Sequence, residues 1–90
     1  MHIKLAPLVD KELNRIKQKD KKLSDRIAKQ LALFAANPKH PSLRLHRITG
    51  STENLWSISI TMSIRMLYAL IEEDIAYFFD IGKHEDVYRK

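Results

Sequence analysis

The apolar residues of this chain change their spacing at Asn37-Pro38. Before that point Leu13, Ile16, Leu23, Ile27, Leu31 and Phe34 recur at intervals of three, four or seven. That spacing gathers side chains on one face of a helix. After it, Leu43 and Leu45 alternate with Arg44 and His46, and Trp56, Ile58 and Ile60 alternate with Ser57, Ser59 and Thr61. Alternation is the period of a strand with one buried face. Proline enforces the boundary, because the residue before it is pushed out of the helical basin. Helices first and strands afterwards predict an α+β fold, with an N-terminal helical hairpin packed on one face of a largely antiparallel β-sheet. The 90 residues allow a single domain, 1–90. An apolar fraction of 44% and only two glycines favour a folded core over disorder.

The finer pattern divides the helical half. His2 to Leu5 reads as a short strand, and Pro7 suits a first helical position, where its missing N–H is no loss. The stretch "KQKDKK", Lys17 to Lys22, interrupts the apolar stripe, and Asp20 within it suits a helix N-cap. Two helices, near 8–19 and 21–36, are expected, with one long helix as the competing arrangement. Everything after Pro41 reads as strand, with a polar loop from Gly50 to Asn54. The apolar runs Ile64–Ile71 and Ile75–Ile81 flank Glu72, Glu73 and Asp74, a polar turn that predicts antiparallel pairing.

Charge is unevenly spread. Residues 1–50 hold twelve Lys or Arg against four Asp or Glu, and the whole chain carries +5. A basic half invites an anionic partner such as RNA, DNA or an acidic protein, although Lys-rich helix faces are often simply solvated. The absence of cysteine rules out disulfides and thiolate metal sites. The histidines are scattered without metal-ligand spacing, so neither a metal nor another cofactor is expected. There is no Gly-rich phosphate loop and no nucleophile-elbow serine. No run approaches the ~20 apolar residues that cross a bilayer, and a cytoplasmic protein without membrane association is expected.

One sheet face must pack on the helices and leave the other available. If Leu43 and Leu45 face the helices, Arg44 and His46 face outward. Arg65 is the only charged residue between Glu53 and Glu72. It is either a structural cation at an edge or an anion ligand whose planar fork matches phosphate. His84 and Tyr88 follow the last apolar run. Together His46, Arg65, His84 and Tyr88 would supply proton-transfer groups, a fixed cation and a stacking ring around a phosphodiester. Arg44, Arg47 and Lys83 are the candidate RNA-binding cations.

The ordered set "LHRITGSTENLWSISI", "IRMLYAL" and "EDIAYFFDIGKHEDVY", behind two helices, resembles the RelE-type toxins of bacterial type II toxin–antitoxin modules, in the RelE/ParE superfamily. The likeness spans nearly the whole chain. It implies a toxin held in a hetero-oligomer by a cognate antitoxin. It also implies a ribosome-dependent mRNA endonuclease that turns the ribose 2′-hydroxyl on its own phosphodiester without metal. In that reading Arg65 holds the phosphate, His84 follows the family's glycine and Tyr88 is its terminal aromatic. Arg44 and His46 lie where members place basic or acid–base groups. Ser59, Ser63 and Asp80 depart from the pattern, at positions where nuclease members carry basic or acidic groups. The alternative is a ParE-like or catalytically weak toxin that acts by binding gyrase or the ribosome without cleaving RNA.

Overall fold

The computed structural model describes residues 1–48 and 54–83. Strand β1, His2–Leu5, leads into helix α1, Pro7–Lys19, and helix α2, Lys21–Ala36. Strands β2, His46–Arg47, β3, Leu55–Ser59, β4, Ile64–Glu72, and β5, Ile75–Lys83, follow. The five strands form one sheet in the order β1-β5-β4-β3-β2, with β1 parallel to β5 and the other neighbours antiparallel. This is the expected α+β architecture.

Two helices replace one at Asp20. Its backbone N–H donates to the Ile16 carbonyl and ends α1, while its side chain accepts from the Leu23 N–H at 3.1 Å and begins α2. One residue thus satisfies orphan groups of both helices. The hairpin buries Val9, Ile16, Ile27 and Phe34 against Ile58, Ile60, Met66, Tyr68 and Phe78 of the sheet. Phe34 meets Tyr68 and Phe78 edge-on, with ring centroids 5.0 and 5.4 Å away. Such edge contacts suit the charge distribution of aromatic rings. Polar groups of α2 secure the far edge. Buried Gln30 donates to the Ser59 carbonyl at 2.9 Å, and Arg26 Nε donates to the Ile60 carbonyl at 2.9 Å.

The expectation of strand from Leu43 onward is corrected. Pro41–Leu43 form a 3-10 turn, and only His46–Arg47 pair as strand. Pro41 fixes the first backbone angle of the turn, and His40 Nδ1 accepts from the Ser42 N–H at 3.1 Å. Arg44 then takes a left-handed conformation, φ 45° and ψ 52°, as the only non-glycine residue with positive φ among the described residues. Leu43 is nonetheless buried, and Arg44 and His46 are exposed, so the inward–outward order survives without a strand backbone.

Strand β5 contains a register shift. Leu67 opposes Asp80, but Tyr68 opposes Phe78, which leaves Phe79 as an extra residue. Side chains alternate faces along a strand. Without the bulge, Phe78 and Asp80 would point the same way. With it, Ala76 and Phe78 enter the core while Asp80 and Gly82 turn to the opposite face.

Candidate functional site

The face away from the helices is built from residues that alternate with the core. In β4, Arg65 lies between the core-facing Ile64 and Met66 and is in register with Ser59 of β3 and Gly82 of β5. A small side chain on one flank and none on the other leave the guanidinium room at the sheet surface.

Its orientation is fixed by two acceptors. Arg65 Nε and Nη2 both donate to Ser57 Oγ, at 3.2 and 3.0 Å, and Nη2 also donates to the Arg44 carbonyl at 2.8 Å. Ser57 is fully buried. It is diagonal to Arg65 across the β3–β4 ladder, since Arg65 opposes Ser59. The left-handed turn at Arg44 aims that carbonyl across the sheet edge. Arg65 Nη1 donates no hydrogen bond within the described residues.

His46 opposes Ser57, so it projects from the same face as Arg65 and is exposed. The exposed Arg44 side chain belongs to the turn whose carbonyl receives Arg65. Arg47 lies elsewhere. It opposes Trp56, and its guanidinium sits 5.7 Å from the centre of that ring. This cation–π contact is on the helix side of the sheet. Lys83 is exposed, but it opposes the core-facing Ile64 and so does not share the Arg65 face. His84 and Tyr88 lie outside the described residues.

The three departures have defined surroundings. Ser59 Oγ donates to the Thr61 carbonyl at 2.8 Å, and the Ser63 N–H donates to Thr61 Oγ1 at 3.2 Å. Both serines therefore help to shape the β3–β4 turn. Asp80 shares the Arg65 face, and its Oδ1 accepts from the Ile81 N–H at 2.9 Å. The arrangement offers a restrained cation and, two strands away on the same face, an imidazole, which suits binding of an anionic oxygen and transfer of a proton. Sequence reasoning singled out Arg65 and His46 but missed Ser57 as the group that orients the arginine. The available signal was the diagonal pairing across the β3–β4 hairpin.

Residues 3–88 match the family described as "ParE toxin of type II toxin-antitoxin system, parDE". Curated protein sequences give no match. Solved structures match almost the whole chain. The YoeB/ParE toxin from Agrobacterium tumefaciens aligns with a TM-score of 0.77 at 14% identity, covering 93% of this chain and 99% of that one. The YoeB-YefM complex from Staphylococcus aureus aligns at 0.75 and 15% identity, covering 93% and 97%. The DinJ-YafQ complex from E. coli aligns at 0.75 and 12% identity, covering 96% of each chain. At these identities the similarity is one of fold.

Proposed function

The chain belongs to the ParE toxin family of type II toxin–antitoxin systems, within the RelE/ParE superfamily, and from that premise we propose that it is a toxin acting as a ribosome-dependent mRNA endonuclease. The observation that carries this reading is Arg65, restrained by Ser57 and the Arg44 carbonyl on the face away from the helices, with His46 on that same face.

The chemistry is transesterification. The ribose 2′-oxygen loses its proton and bonds to the adjacent phosphorus. The bond from phosphorus to the 5′-oxygen breaks, and that oxygen takes up a proton. The products are a 2′,3′-cyclic phosphate and a 5′-hydroxyl end. Arg65 holds a phosphate oxygen and opposes the charge that builds at phosphorus. His46 and His84 are the proton-transfer groups, and Tyr88 stacks on or orients the nucleotide. Arg44 reinforces the phosphate-binding edge. Arg47 and Lys83, on the other face, serve the wider contact with RNA. The ribosome presents the mRNA, and no metal takes part.

The partner before activation is a cognate antitoxin. Structural neighbours include toxins named in complexes, YoeB-YefM and DinJ-YafQ. The basic first half of the chain favours an acidic antitoxin segment. Binding to gyrase is the second reading, favoured by the family description, which names ParE. Transcript 5′-end mapping after induced expression separates the two. Cuts within translated regions support the nuclease. Intact mRNA together with inhibited DNA supercoiling supports the gyrase reading and overturns the first.

A further inference from the structure

We propose that Ser57 and the left-handed backbone at Arg44 are positioning elements that aim Arg65, leaving Nη1 as the arm offered to a phosphate oxygen. This deepens the nuclease reading and rests on it for the identity of the anion. An arginine side chain has many rotamers, and its charge is useful only when held where charge develops. Here Ser57 Oγ takes both Nε and Nη2, which fixes the plane of the guanidinium. The Arg44 carbonyl takes Nη2 again, from the sheet edge.

Two features indicate that this arrangement is specified. Ser57 is a polar residue with 0% exposure, in a strand position whose neighbour Ile58 is core. Arg44 holds a backbone conformation unfavourable to any residue with a Cβ. A right-handed or extended residue there would swing its carbonyl away from Arg65. Arg44 thus has a role in its main chain that is separate from its side-chain charge.

The test separates orientation from activity. In 15N spectra of the intact chain, the Arg65 Nε–H is expected to exchange slowly with water. Ser57→Ala is expected to speed that exchange at least tenfold, and Ser57→Thr, which keeps the hydroxyl, to restore slow exchange. Arg44→Val disfavours the left-handed conformation and is expected to free rotation about the Arg65 Nε–Cζ bond, whereas Arg44→Gly permits the conformation and leaves that rotation hindered. In a reconstituted ribosome assay, Ser57→Ala is expected to lower kcat by about 10–100-fold with little change in KM, as for a misaimed group. Unchanged Arg65 exchange in Ser57→Ala, or equal Arg65 rotation in Arg44→Val and Arg44→Gly, overturns the proposal. If the wild-type chain cuts no RNA but the spectra respond as described, the positioning stands and the nuclease reading falls.

Discussion

Arg65 combines a permanent charge with a planar set of donors, and a lysine reproduces only the charge. Arg65→Ala is expected to lower RNA cleavage by roughly 10²–10³-fold, as loss of one transition-state donor does. Arg65→Lys is expected to recover little, because an ammonium cannot span Ser57 Oγ and the Arg44 carbonyl in one plane. Single-turnover cleavage on ribosomes gives the numbers, and a fully active lysine variant would remove the case for fork geometry. Tyr68 makes a different prediction. Burial at 4% exposure pushes its phenol up to about 12. The unfolded chain releases that proton at about 10, so the folded state gains from keeping it. This contribution is whole below about pH 10 and is lost as pH rises through about 12. Tyr68→Phe is therefore expected to make the alkaline fall of Tm shallower, as followed by circular dichroism. An equally steep fall would mean that other groups dominate.

At the scale of elements, the junction of α1 and α2 depends on one cap among several cations. Asp20→Ala is expected to lower stability by about 0.5–2 kcal/mol, measured by urea unfolding, because the Leu23 N–H loses its acceptor. Lys21 and Lys22 occupy the first turn of α2, which holds no acidic residue. Positive charge there opposes the helix macrodipole, so Lys21→Glu is expected to stabilise by about 0.3–1 kcal/mol at low salt. A drop in stability instead would show that the lysine makes a compensating contact. These helices are legible in the sequence because Asp20 and Pro7 signal their starts directly. The segment from Pro41 to Arg44 is less so. Leu43 and Leu45 alternate with polar residues as they would in a strand, although Leu43 ends a 3-10 turn and Leu45 lies beyond it, and the left-handed angle at Arg44 has no glycine to announce it. Arg65 could be chosen as the lone charge of an apolar strand. Ser57 could not be found until the register placed it diagonal to that charge, because a buried serine carries no mark of its partner.

Across the whole molecule, Phe34 ties the helical layer to the sheet through Tyr68 and Phe78. Phe34→Ala is expected to cost about 3–5 kcal/mol, a large share of the stability of a domain this small, and equilibrium urea denaturation measures it. The Arg65 face lies on the other side of the sheet, so cleavage by the fraction that remains folded should fall little. A loss of activity far beyond the unfolded fraction would show that the two faces are coupled. The extra residue at Phe79 bears on how such a sheet tolerates change. β5 carries two reading frames joined at that point. Even-numbered positions before it, 76 and 78, demand apolar side chains, and even-numbered positions after it, 80 and 82, do not. Substitutions on either side can drift independently, and deleting Phe79 alone would remove the bulge while leaving Phe78 inward opposite Tyr68 and Asp80 outward opposite Leu67, now as adjacent residues. The same omission at Ile81 would instead make Asp80 and Gly82 neighbours and turn one of them inward, so the strand can lose its unpaired residue but not a paired one.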